Sequence, residues 1–267
     1  MKQLIYFGFV QAKSCLFAVV IFSSLALTQV IDVPFISRYD LILCICLLTQ
    51  FLMVYAKIET WDEVKVIGVF HFIGLALEIY KVHMGSWSYP EEAWSKIFGV
   101  PLYSGFMYAS VASYLCQAWR RLDIKLVHWP ATWLVFFLSA AIYFNFFTHH
   151  YMYDFRWVLK VATILLFCQT VVYYMVNGQT YRMPLSLSFI LIGFFIWIAE
   201  NIATYFGAWQ YPNQSEQWQI VHFSKISSWL LLVIVSFLIV AMLKHAKKKM
   251  YHVDQSSVRL PLQEDLE

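Results

Sequence analysis

Charge is what this chain has least of. Asp, Glu, Lys and Arg make up 13% of its 267 residues, against about 25% in a soluble domain. No polar stretch is long enough to form a soluble domain of its own. The sequence holds no Gly-rich phosphate loop, no nucleophile elbow, no HExxH pair and no CxxC pair, so the common motifs of nucleotide binding, serine hydrolysis and helix-borne zinc are missing. The five cysteines, Cys15, Cys44, Cys46, Cys116 and Cys168, are odd in number and all lie in apolar runs. They read as packing residues rather than a disulfide framework. The net charge is only +3, with the basic residues in short links and a tail. That excludes a nucleic-acid surface and leaves topology signals.

What is present is apolar, 61% of the chain, and it is arranged in long runs. Runs at 14–33, 39–56, 66–85, 102–119, 131–149, 156–176, 183–207 and 223–243 are each of the length that crosses a hydrocarbon core of about 30 Å at about 1.5 Å per residue. Pro34, Pro90, Pro101, Pro130, Pro184 and Pro212 punctuate the links. Ser24-Leu25-Ala26 resembles a signal-peptide cleavage site, but the apolar stretch runs past it, so a retained first helix is expected. The expected fold is an all-α polytopic membrane bundle of about eight transmembrane helices. An even number of spans puts both termini on one side. With them go 13 of the Lys and Arg residues, against 6 on the other side. This bias favours both termini in the cytoplasm. Lys244-His245-Ala246-Lys247-Lys248-Lys249 opens a basic then acidic tail over 244–267 and reads as the stop signal of the last helix.

One stretch occurs twice. Glu78-Ile79-Tyr80-Lys81-Val82-His83-Met84-Gly85-Ser86-Trp87-Ser88-Tyr89-Pro90 matches Glu200-Asn201-Ile202-Ala203-Thr204-Tyr205-Phe206-Gly207-Ala208-Trp209-Gln210-Tyr211-Pro212 at an ungapped offset of 122 residues. Extended back to Phe72 and Phe194, six of 19 aligned positions are identical. Both copies end the third helix of a set of four, so the expected organisation is two similarly oriented four-helix halves, 1–122 and 123–243, followed by the tail.

The chemistry-bearing candidates follow from this match. Glu78 and Glu200 each lie seven residues before the glycine that closes the helix, about 10 Å below the outer end. A carboxylate at that depth costs a few kcal/mol and usually faces a bundle interior, where it marks function. If the halves meet, one carboxylate would be protonated and the other ionised, as acid/base catalysis and proton coupling both require. The bland alternative is a hydrogen bond that holds a neighbouring helix, or a pair with Lys81 three residues on. His71 shares a helix face with Glu78, and Trp197 and Asn201 flank Glu200 at helical spacing. Gly-x-Trp-x-Tyr-Pro reads as a helix stop plus an interfacial anchor, or as an aromatic lid contributed by Trp87, Tyr89, Trp209 and Tyr211. His149-His150 with Asp154 lacks metal-ligand spacing, so no metal and no cofactor is expected.

The combination Glu78, Gly85-Ser86-Trp87-Ser88-Tyr89-Pro90, Gly99-Val100-Pro101-Leu102, Ala199-Glu200-Asn201, Gly207-Ala208-Trp209-Gln210-Tyr211-Pro212, Lys225 and Ser228-Trp229 resembles the YoaT-like bacterial membrane proteins, domain-of-unknown-function family 817. The resemblance covers nearly the whole chain and implies a multi-pass protein of the bacterial cytoplasmic (inner) membrane. Glu78, Gly85, Trp87, Tyr89, Val100, Pro101 and Leu102 are also distantly similar to membrane carotenoid hydratases and lycopene-cyclase domains. That likeness, over about 40 residues, implies acid-initiated chemistry on an isoprenoid double bond. Three functions therefore stand open. The first is acid/base chemistry on an isoprenoid or lipid at Glu78 and Glu200. The second is transport of a small solute, with or without proton coupling, disfavoured by the scarcity of Gly- or Pro-broken helices. The third is a non-catalytic lipid-binding or partner-binding scaffold. The expected partner is a membrane lipid or isoprenoid, not nucleic acid.

Overall fold

The structure is a computed structural model that describes residues 2–31, 33–223, 225–226 and 229–242. The 244–267 tail expected from the sequence lies outside the described residues. Among the described residues the chain is mostly helical, 66% helix in nine helices. These are α1 (Lys2–Ser14), α2 (Leu16–Val30), α3 (Arg38–Tyr55), α4 (Trp61–His83), α5 (Tyr103–Arg121), α6 (Thr132–Thr148), α7 (Arg156–Phe167), α8 (Leu185–Tyr205) and α9 (Trp229–Met242).

Local chemistry sets the helix ends. Ser37 caps α3 by accepting from the Asp40 N–H. Thr60 and Glu63 form a reciprocal capping box at the start of α4. α4 and α8 stop in the same way. Gly85 and Gly207 sit at φ +66° and +67°, and each allows two closing bonds. Gly85 N–H reaches Val82 O and Ser86 N–H reaches Lys81 O; Gly207 N–H reaches Thr204 O and Ala208 N–H reaches Ala203 O. This double bond is the Schellman ending, which needs a left-handed residue after the cap.

Among the described residues, three helices, α3, α4 and α8, are long and apolar enough to cross a membrane, or up to four spans if α1 and α2 count as one. That pair is bent by 70°; the first span expected over 14–33 corresponds to α2 alone, and α1 is a separate helix built from the residues before it. The sequence expectation of eight full spans is thus finer than the structure supports. α6 and α9 are shorter apolar helices, and α7 covers only about 18 Å at about 1.5 Å per residue.

One stretch differs in kind. Residues 171–176, expected to complete a span over 156–176, form a strand. β3 (Lys125–Val127), β4 (Val171–Val176) and β5 (Gln179–Pro184) make an antiparallel sheet in that order. Val-Val-Tyr-Tyr-Met-Val is β-branched and aromatic, which suits a strand. Asn177 and Gly178 follow at φ +47° and +76°, the two positive values of a type I′ hairpin turn. A smaller ribbon, β1 (Lys96–Ile97) with β2 (Val100–Pro101), precedes α5.

α5 is the central post, packed against α1, α2, α3 and α4. Its small residues permit close approach. A Cβ on Gly74 of α4 would come within 2.4 Å of the Tyr108 ring, and one on Gly105 within 2.7 Å of the His71 ring. Away from this core the helices are apolar outward: Leu48 and Phe51 on α3, Phe136 and Phe137 on α6, Trp157 and Leu165 on α7 and Phe195 on α8 are exposed. Water-soluble proteins rarely leave so much contiguous apolar surface. The three-stranded sheet and α1, joined by the Phe7 and Tyr174 rings at 5.6 Å, lie at one end of the bundle. The two glycine-closed turns lie at the other.

Candidate functional site

At the turn end, the chain folds back so that each turn delivers aromatic donors to the glutamate of its own helix. Tyr89 and Tyr211, each eleven residues after its glutamate, donate their hydroxyls to Glu78 Oε2, at 2.7 Å, and to Glu200 Oε1. The helix stop makes this reach possible: seven residues climb from glutamate to glycine and the next four return. Glu78 takes two further donors, the Trp87 indole on Oε2 at 2.7 Å and the Tyr108 hydroxyl on Oε1 at 2.7 Å. Glu200 takes one more, the Trp229 indole on Oε2. Both glutamates are buried, at 5% and 2% exposure. Among the described residues neither has a cation within ion-pair distance. Lys81 turns away from Glu78, donating instead to Phe146 O at 3.0 Å and meeting His150 Nε2 at 3.2 Å.

The turns also meet one another. Ser88 and Gln210 form an antiparallel bridge, each N–H donating to the other's carbonyl at 2.9 Å. The Trp87 ring stands edge-on to the Tyr211 ring, 6.0 Å between centroids. The carboxylates are thereby separated by two side chains: Glu78 is held by Trp87, Trp87 touches Tyr211, and Tyr211 holds Glu200. Above them Lys225 places its ammonium 4.6 Å from the Tyr211 ring centroid.

A scaffold of polar side chains fixes this end. Arg38 donates to the carbonyls of Leu25, Phe206 and Gly207 and pairs with Glu91 at 2.5 Å. Gln29 also donates to Phe206 O, and Tyr103 donates to Ala208 O. Together they satisfy the carbonyls that α8 leaves open at its end. Asp40 accepts the Trp94 and Ser95 N–H groups, both at 2.9 Å, and Lys96 donates to Tyr89 O and Glu91 O.

Of the residues singled out from sequence, Glu78, Trp87, Tyr89, Glu200 and Tyr211 come together. Trp209 is buried in the core beside them. The others do not join the carboxylates. His71 lies two turns down α4, packed on the Phe106 ring at 4.4 Å, with its Nδ1 buried and unpartnered. Trp197 and Asn201 clamp the segment that leads toward α9: the Trp197 indole donates to Val221 O, and Asn201 accepts the Val221 N–H. Sequence reasoning missed Tyr108 and the role of Trp229, each an aromatic inside an apolar run. It also missed two buried carboxylates at the sheet end, Glu59 and Glu63. Glu59 is 2% exposed and accepts from Gln50, Ser113 and Gln117, while Arg120 pairs with Glu63 at 3.1 Å. No cluster of three or more His, Cys, Asp or Glu residues suited to a metal occurs among the described residues.

Comparison with known proteins gives the chain a family but no activity. A curated protein of Bacillus subtilis (strain 168), described as uncharacterized protein YoaT, is 68% identical over 248 residues, covering 93% of this chain and 94% of that relative. No solved structure matches. The profile of the family described as protein of unknown function (DUF817) matches residues 3–237. The chain belongs to the DUF817 family.

Proposed function

We propose that this is a multi-pass protein of the bacterial cytoplasmic membrane whose working centre is the Glu78–Glu200 pair, acting by acid/base chemistry on an isoprenoid or other lipid. The observation that carries this reading is the pairing of two buried carboxylates that have no cation within ion-pair distance among the described residues, each in an aromatic cage, in contact through Trp87 and Tyr211. The two cages differ. Glu78 has three donors and Glu200 has two. A carboxylate offers about four lone-pair positions, so Glu200 keeps more capacity to exchange a proton with a substrate. In the proposed reaction a carboxyl proton passes from Glu200 to an alkene carbon. Glu78 and the surrounding ring faces stabilise the resulting cation. Water then adds to the cation and its proton returns to Glu200.

A second reading has its own observation. Ser88 and Gln210 are 122 residues apart, the interval of the repeated stretch, and they bond reciprocally. This supports two similarly oriented halves meeting about a local two-fold axis, the arrangement in which parallel-repeat transporters hold solute and coupling ion.

The test compares wild type with the Glu78→Gln/Glu200→Gln double variant. Gln fits both cages, because its amide nitrogen can face a tyrosine oxygen while its carbonyl accepts from the indole. Extracted lipid from both proteins is analysed by mass spectrometry. A specific isoprenoid or lipid held by the wild type and lost or chemically unaltered in the folded variant supports the first reading. Solute flux in liposomes that depends on both glutamates supports the second. Identical bulk phospholipid and no flux in either protein would leave the carboxylates as hydrogen-bonded staples of a scaffold.

A further inference from the structure

The turn end of the bundle gathers cations that the carboxylate cages do not use. Lys81 ends α4, Arg156 begins α7, and Lys225 lies between the second turn and α9. They come from separate elements of this end: Lys81 meets His150 of the α6–α7 link at 3.2 Å, Arg156 opens the helix that follows that link, and Lys225 lies 4.6 Å from the ring centroid of Tyr211 in the second turn. His149 and His150 fill the link between α6 and α7, with their rings 4.1 Å apart.

The acids facing this group are few. Asp154 pairs with Arg156 at 2.6 Å and holds its guanidinium in place. Glu200 faces Lys225 across the Tyr211 ring but is taken up by Tyr211 and Trp229. No carboxylate lies within ion-pair distance of Lys81 among the described residues. Lys81 is nonetheless 6% exposed. A buried ammonium without a counter-charge is expensive; one carbonyl and one imidazole nitrogen supply hydrogen bonds but no negative charge. The exposed Tyr151, Tyr153 and Trp157 surround the same link. Tyr and Trp in such a position mark the level of lipid headgroups.

We propose that Lys81, Arg156 and Lys225, rimmed by His149 and His150, form a binding site for a phosphate group at the outer membrane interface. Three cations from three elements suit a phosphoryl group, with several anionic or acceptor oxygens, better than a single carboxylate, and a guanidinium held by Asp154 presents a fixed fork to it. A lipid headgroup and a free ion both present phosphoryl oxygens to these donors, and the experiment distinguishes the two. The site does not depend on any reaction at Glu78 and Glu200.

The experiment uses full-length protein purified in detergent. Thermal unfolding is followed against inorganic phosphate, with sodium chloride at matched ionic strength as the reference. Lipid retention is measured by native mass spectrometry after exchange with phosphatidylglycerol or phosphatidylcholine. Stabilisation by inorganic phosphate identifies a free-anion site. Selective retention of phosphatidylglycerol without a phosphate effect identifies a headgroup site. In either case Lys81→Gln and Lys225→Gln should each weaken binding about five-fold, the equivalent of about 1 kcal/mol per cation. Lys65→Gln, at the exposed sheet end, should not. If Lys81→Gln does not fold, Lys225→Gln alone decides. The proposal is overturned if wild type prefers neither phosphate nor phosphatidylglycerol, or if the folded lysine variants bind as tightly as Lys65→Gln.

Discussion

Ser88 and Gln210 exchange two main-chain hydrogen bonds of 2.9 Å across the top of the bundle, and each stands three residues after a left-handed glycine. Around this joint the two helix ends repeat one another bond for bond, from the Schellman closure to the tyrosine that returns to its own glutamate. The differences between the two sides give tests.

Removing a caged carboxylate should cost far more than neutralising it. Glu78→Ala strands the Trp87 indole and two tyrosine hydroxyls in a buried site, at about 1–3 kcal/mol for each unsatisfied group. Glu78→Gln keeps an acceptor for the indole and should cost about 1 kcal/mol. Denaturation in detergent should rank wild type above Gln and Gln well above Ala. Equal losses in the two variants would show that the cage bonds contribute little.

The two glycines should not tolerate alanine equally. Both have positive φ, a strain of about 1 kcal/mol for a non-glycine residue. Nothing lies within 4 Å of a Cβ built on Gly85, but one on Gly207 meets Gln29 Nε2 at 2.9 Å. Gly207→Ala is therefore expected to lower the melting temperature more than Gly85→Ala. The reverse order would contradict the packing of α2 on the second turn.

Gly74→Ala should act through Tyr108. The added methyl would stand 2.4 Å from that ring, so the ring must shift and release Glu78 Oε1. A loss of about 2 kcal/mol or more is expected from overpacking and the lost bond together. Adding Tyr108→Phe should then cost less than it does alone, a non-additivity that a double-mutant cycle measures.

Acid should loosen the link between α6 and α7. Burial first, and the Lys81 charge second, hold His150 below its ordinary value of 6.5; the same two causes act on His149. A histidine with a lowered folded-state value binds its proton more readily when unfolded. Its contribution is therefore complete above pH 6.5 and is lost as the pH falls through the lower folded value. Unfolding profiles between about pH 7 and pH 5 should show this fall, and His150→Gln should flatten it.

Much of this architecture was legible in the sequence, and the failures have physical causes. The glycine-closed turns were readable because a helix stop, interfacial aromatics and a proline coincide twice at one interval. Trp87, Tyr89 and Tyr211 were within reach for that reason. Tyr108 and Trp229 were not: they approach the glutamates from helices remote in sequence, and an aromatic in an apolar run looks the same whether it faces lipid or a carboxylate. Glu59 was passed over because it lies in a link, where a carboxylate is ordinarily solvated. The β4–β5 hairpin was misread although its signal, Asn177-Gly178, was present. An apolar run of span length masks the turn chemistry inside it.

The bridge between Ser88 and Gln210 uses only main-chain atoms, so it is blind to what those side chains are. The two turns differ there, one serine and one glutamine, and are joined all the same. A clasp of this kind leaves each side free to drift toward its own specialisation: one glutamate recruits an indole from its own turn, and the other borrows one from α9. It also ties the turns together, so that Tyr211, beside the Lys225 ammonium, is seated against Trp87 and through it beside Glu78.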